Sequence, residues 1–133
     1  MLLMTWKESL STDVNSIDQQ HQDLIAQVEK FFAAVHGGLD RRQLLAGLDV
    51  LIEMVSDHFA HEERVMRNIH LPTWTVHERL HRALLEEISE FREEVAMGSN
   101  ERSAADVEHF LNIWLYRHIV EEDLKIFHHL NRD

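Results

Sequence analysis

Five histidines and two carboxylates stand where packed helices would ordinarily carry Leu, Ile or Val: His21, His58, Glu62, His77, His81, His118 and Asp123. His58-x-x-x-Glu62 and His77-x-x-x-His81 are each spaced by four, so on a helix each pair shares one face, one turn apart. Such pairs are ordinary on exposed helices, which makes their placement decisive. His21 interrupts the apolar run Ile17, Leu24, Val28, Phe31, Val35. His58 and Glu62 interrupt Leu44, Leu48, Leu51, Val55, Val65, Ile69, and His77 and His81 lead into Leu84, Ile88, Phe91, Val95. His118 follows Val107, Leu111 and Trp114, and Asp123 lies in the flanking row Leu115, Ile119, Ile126, Leu130. Steps of three and four mark a helix face turned to a core. Burying so many titratable groups is prohibitive unless they pair or bind metal. Hydrogen bonding among themselves would leave donors and acceptors over, at about 1–3 kcal/mol for each buried unpaired group. A metal centre shared by four helices resolves this most simply.

The elements that must position these residues follow from the same pattern. Residues 1–16 read as an irregular arm that Trp6 could pack down. Ser16-Ile17-Asp18-Gln19 fits a capping box opening the first helix, which runs to His36 and stops at Gly37-Gly38. Asp40 caps a second helix reaching about Asn68. Pro72 separates it from a third, capped by Thr73 or Thr75, with Thr75-x-x-Glu78 the better match, and ended by Gly98-Ser99-Asn100. A fourth starts near Ser103 and runs almost to Asp133. The expected fold is all-α: an antiparallel up-down-up-down four-helix bundle with an irregular N-terminal arm, one domain over residues 1–133. In that topology all seven polar seam residues fall at one end of the bundle.

Composition narrows the chemistry. The chain has 133 residues, 44% hydrophobic and 28% charged, with four Gly, one Pro and no Cys. Without thiols any buried metal is held by nitrogen and oxygen, and imidazole with carboxylate suits iron, or by donor type manganese or zinc. Seven donors exceed one ion's needs and suit two six-coordinate ions with positions left for a bridging oxygen and an exogenous ligand. A formal charge of −11 argues against nucleic acid or an anionic membrane as partner. No stretch approaches the roughly 20 apolar residues of a membrane span, and the amino terminus lacks a signal-like pattern, so a cytoplasmic setting is expected. One spacing is untidy: His118 and Asp123 are five apart, about 140° on an ideal helix, which by geometry alone favours Glu122. Either Asp123 approaches from the flank or a widened turn brings it round, and spacing leaves both open.

With these residues in view the chain resembles the hemerythrin family in its single-domain bacterial form. The similarity rests on Ile17-Asp18-Gln19-Gln20-His21, His58-Phe59-Ala60-His61-Glu62-Glu63 with Met66, His77-x-x-x-His81, and Trp114-Leu115-Tyr116-Arg117-His118-Ile119 with Asp123. The resemblance implies two iron ions with an oxo or hydroxo bridge. His77, His81 and His118 would hold one, His21 and His58 the other, and Glu62 and Asp123 would bridge them. It also implies Asp123 rather than Glu122 as ligand, an open position for dioxygen on the iron with two histidines, and Leu115 as an apolar wall of the oxygen pocket. The sequence departs from the family where Asp13 replaces a frequent Gly and where Ile69-His70-Leu71-Pro72 lacks a frequent Gly-Tyr before the proline.

The function expected is reversible dioxygen binding for storage, delivery or scavenging, without enzymatic turnover. Alternatives are a di-iron enzyme acting on oxygen, peroxide or nitric oxide, and a redox or oxygen sensor acting through a separate partner. Oxidation centres of the ferritin type use two Glu-x-x-His motifs, and only Glu78-x-x-His81 occurs here. His36, His61, His70, His109, His128 and His129 read as solvated or loop residues, and Trp114, Phe59 and Phe110 as core. Oligomeric state is left open, with a monomer compatible.

Overall fold

The computed structural model describes residues 6–97 and 104–124. A 3₁₀ turn (Glu8–Leu10) precedes α1 (Asn15–His36), α2 (Arg41–Asn68), α3 (Trp74–Met97) and α4 (Ala104–Tyr116), which continues as a π-helical segment, Arg117–Asp123. There is no strand among the described residues, and no helix there is long and apolar enough to cross a membrane. The expected breaker Gly98-Ser99-Asn100, the start at Ser103, and Ile126, His128, His129 and Leu130 lie outside the described residues, as do residues 1–5 of the arm.

The chain forms two compact units, one containing α1 and α4 and the other α2 and α3. Within the first, His21 early in α1 meets Asp123 beyond α4, while His36 at the end of α1 pairs with Glu108 early in α4. Those two helices are therefore antiparallel. Within the second, Asp49 pairs with Arg92, Glu63 with His81 and Arg67 with Glu78, so α2 and α3 are antiparallel too.

The seams are buried largely as periodicity predicts. Ile17, Leu24, Val28 and Phe31 of α1 are buried, as are Leu48, Leu51, Val55, Phe59 and Met66 of α2 and Leu84, Ile88, Phe91 and Val95 of α3. Val107, Leu111, Trp114 and Leu115 line the equivalent face of α4. Val35, Leu44 and Val65 are half-buried, and Phe110, expected in the core, is half-buried as well. Ile69 is 45% exposed because α2 has already ended there and its side chain no longer follows the helical face.

Helix ends show where local reading succeeded and where it did not. Asp40 and Gln43 make a reciprocal capping box, with Gln43 N donating to Asp40 Oδ1 at 2.8 Å and Asp40 N to Gln43 Oε1 at 3.1 Å. The capping box expected at Ser16 is absent. α1 starts two residues earlier, at Asn15 behind Val14, whose side chain makes no cap, so Ser16 is already inside the helix. Asp18, in the first turn, instead holds the arm: its carboxylate accepts from Ser11 Oγ at 2.7 Å and from Thr12 N and Oγ1 at 2.8 Å each. Hydrogen bonds to a carboxylate contribute about 1.5–3 kcal/mol, and the first turn is where a helix favours negative charge. Thr75 likewise falls inside α3. The residue before Trp74 is Thr73, whose carbonyl accepts from Val76 N at 3.0 Å and His77 N at 3.2 Å.

α2 ends in a Schellman motif: Leu71 N donates to Met66 O at 2.9 Å and His70 N to Arg67 O at 3.0 Å. The motif places His70 in the left-handed region, φ 56°. Among the described residues, the other non-glycine residue there is Asp13, φ 64°. Both are positions whose backbone favours glycine. Beyond the turn, Arg67 lies over the Trp74 ring at 4.6 Å and ties the end of α2 to the start of α3. Replacing His70→Gly is expected to raise stability by about 0.5–1 kcal/mol, from relief of the left-handed backbone less the entropy cost of glycine. Asp13→Gly should gain less, because Asp tolerates this conformation. Urea unfolding of both variants checks the order.

Candidate metal centre

On the α1–α4 unit, three of the expected ligands meet with no solvent exposure at all. His21 Nε2 lies 2.6 Å from Asp123 Oδ2, and His118 Nε2 lies 3.2 Å from the same oxygen. The two rings are edge-on, 5.9 Å between centroids. One ligating atom from each of His21, His118 and Asp123 falls within 4.8 Å of the others. His21 sits here because it occupies the seam between Ile17 and Leu24. His118 sits one turn past Trp114, whose indole stacks beside it at 6.4 Å and 28°.

Asp123 reaches the group through the backbone. From Arg117 to Asp123 the helix is π, with i→i+5 hydrogen bonding, so residues five apart lie nearer to one face than in an α-helix. The turn is wider than in an α-helix, and it brings Asp123 round toward His118 despite the five-residue step that looked wrong by spacing. Glu122, at the α-helical spacing, is half-buried while Asp123 is fully buried.

The α2–α3 unit carries the other four. His58 Nε2 and Glu62 Oε1 are 2.5 Å apart, both essentially inaccessible, as their spacing by four on one face requires. His81 is buried beneath Phe59, the two rings parallel within 1° at 4.1 Å. Its Nδ1 faces Glu63 Oε2 at 3.4 Å. His77, one turn earlier on the same face, is half-buried, yet its Nδ1 is a buried atom without a hydrogen-bond partner among the described residues. Neither His77 nor His81 completes a close group of three with His58 and Glu62.

Glu63 is the residue that reading the sequence missed. It stood inside the quoted His58–Glu63 run without a role, and the signal available was only a second carboxylate following Glu62. Among the remaining histidines, His36, His70 and His109 are exposed as expected, whereas His61 is half-buried. Burial, with Arg64 and His58 adding to it and Glu62 opposing, lowers the His61 pKa.

Chemically, dry imidazoles and carboxylates without thiols make a nitrogen–oxygen donor set for a divalent or trivalent cation. The comparisons agree. Residues 12–130 match the family model described as a hemerythrin HHE cation-binding domain. The chain belongs to the hemerythrin family. Among relatives, it is 30% identical over 127 residues to a bacteriohemerythrin of Campylobacter jejuni, covering 92% of each chain. It is 29% identical to that of Methylococcus capsulatus, covering 92% of this chain and 93% of the other. A solved mutant hemerythrin superposes with TM-score 0.80 at 26% identity over 96% of both chains. A wild-type hemerythrin gives 0.79 at 27%, covering 94% of this chain and 95% of the other. The hemerythrin fold is an all-α four-helix bundle, and this chain has it. Each unit also carries buried histidine and carboxylate side chains able to hold metal, in keeping with a family that binds non-haem iron.

The widened turn makes a direct prediction for a hemerythrin site. Asp123→Ala should reduce bound metal per chain sharply, while Glu122→Ala should leave it at the wild-type level. Metal analysis of the two purified variants decides between neighbours that spacing could not separate.

Proposed function

We propose that this chain binds dioxygen reversibly at two irons and does not turn it over. His77, His81 and His118 hold one iron, His21 and His58 the other, and Glu62 and Asp123 serve both. The observation that carries this reading is Asp123, wholly buried and set by a π turn against both His21 and His118. A carboxylate touching two imidazoles from different helices is disposed to share itself between two ions. When bound, the iron pair supplies reversible electron donation to dioxygen.

The protein's part is to hold the donors still and to keep the pocket dry. Trp114 and Phe59 cover the faces of His118 and His81. Leu115, fully buried and one turn before His118, offers an apolar wall for a small gas and excludes water that would carry protons to it. Binding rather than turnover is supported by what the sequence lacks. It has no Cys and one Tyr, and that residue, Tyr116, is half exposed. No such side chain therefore stands ready to relay protons or electrons. A single family model spanning 12–130 supports one working domain.

Aerobic protein should show charge-transfer absorption that disappears on reduction and returns when oxygen is admitted. Sustained oxygen consumption with a reductant, forming product, would favour an enzyme instead. Leu115→Ala and Leu115→Phe should leave metal content intact and change mainly the decay rate of the oxygenated form, followed by absorbance. A decay unchanged in both would remove Leu115 from the pocket.

A further inference from the structure

We propose that Glu63 is a positioning residue that presets His81 for metal, its carboxylate accepting the Nδ1 proton so that the ring's lone pair is carried on Nε2. The inference rests on reading the buried imidazoles and carboxylates as an iron centre, and adds a residue that is not one of the ligands. Glu63 Oε2 lies 3.4 Å from His81 Nδ1, and the side chains are only 18% and 4% exposed. His81 is the sole partner of Glu63 among the described residues, so the carboxylate is not held there by an arginine or lysine.

Elementary chemistry fixes the rest. An ionised carboxylate only accepts hydrogen bonds, and a neutral imidazole carries one proton on one of two nitrogens. The nitrogen facing Glu63 therefore holds the proton, and the ring coordinates through the other. Phe59, parallel to the imidazole at 4.1 Å, blocks rotation about the remaining axis. Edge and face are both constrained before any ion arrives. His77, four residues earlier, has no equivalent: its Nδ1 is buried without a hydrogen-bond partner among the described residues. Of the two donors on α3, one is preset and the other is not. A carboxylate behind a ligating histidine also raises the basicity of the ring, and losing it typically costs ten- to a hundredfold in metal affinity.

The test is the rate at which reduced, iron-loaded protein surrenders iron to a ferrous chelator without air, for wild type, Glu63→Ala and Glu63→Gln, beside thermal melting of each metal-free form. Glu63→Ala should release iron about ten- to a hundredfold faster. Glu63→Gln, whose uncharged amide oxygen still accepts from Nδ1, should release iron faster than wild type but clearly more slowly than Glu63→Ala. All three metal-free proteins should melt alike. Wild-type release from Glu63→Ala would overturn the proposal, as would Glu63→Gln releasing as fast as Glu63→Ala. Release that merely tracks a drop in metal-free melting would reduce Glu63 to a packing role and overturn it too. If wild-type protein takes up no iron, the iron-centre reading itself fails. If wild type loads normally and Glu63→Ala matches it, only the role of Glu63 fails.

Discussion

Each unit of this protein depends on carboxylates kept out of water against imidazoles. Asp123 with His21 and His118 on one unit, and Glu62 with His58 on the other, have no meaningful solvent contact. Dehydrating an ion costs several kcal/mol even after relaxation, and pairing offsets that cost only with good geometry. Apolar side chains of similar volume would give a more stable helix pair. Groups retained at such a cost, on seams that are otherwise Leu, Ile, Val and Phe, are retained for binding, and the apolar residues around them set the dryness in which binding works.

That constraint propagates into the backbone. An unbroken α-helix through residues 117–123 would aim Asp123 well away from His118, and the π segment corrects the aim at the expense of regular hydrogen bonding. Elsewhere the chain economises on strain less than it might. His70 closes α2 in a conformation suited to glycine, and Asp13 bends the arm in another, while Asp18 fastens the arm by three hydrogen bonds from Ser11 and Thr12. The arm is thereby anchored one turn from His21, so the first ligand-bearing turn of α1 is fixed from both sides along the chain.

Much of this was legible in the residues. Periodicity of three and four gave four helices and their buried faces, and Gly37-Gly38 and Asp40 marked two ends correctly because their signals are local. Ser16 and Thr75 misled because a capping motif specifies a pattern, not a register, and here Asp18 was claimed by the arm and the start of α3 by Thr73. The polar seam positions identified the ligand candidates. Whether Asp123 or Glu122 faced inward was beyond spacing, since a π turn has no simple sequence mark. Glu63 escaped for a different reason: its role depends on which α3 side chain lies opposite it, and that pairing is tertiary.

The central claim, two metal ions sharing buried nitrogen and oxygen donors, is tested most directly by X-ray absorption at the iron edge of the purified protein. The account predicts a first shell of nitrogen and oxygen alone, with a second iron scattering beside the first in both the reduced and the oxygen-exposed protein. A spectrum of isolated iron, with no metal neighbour in either state, would contradict it.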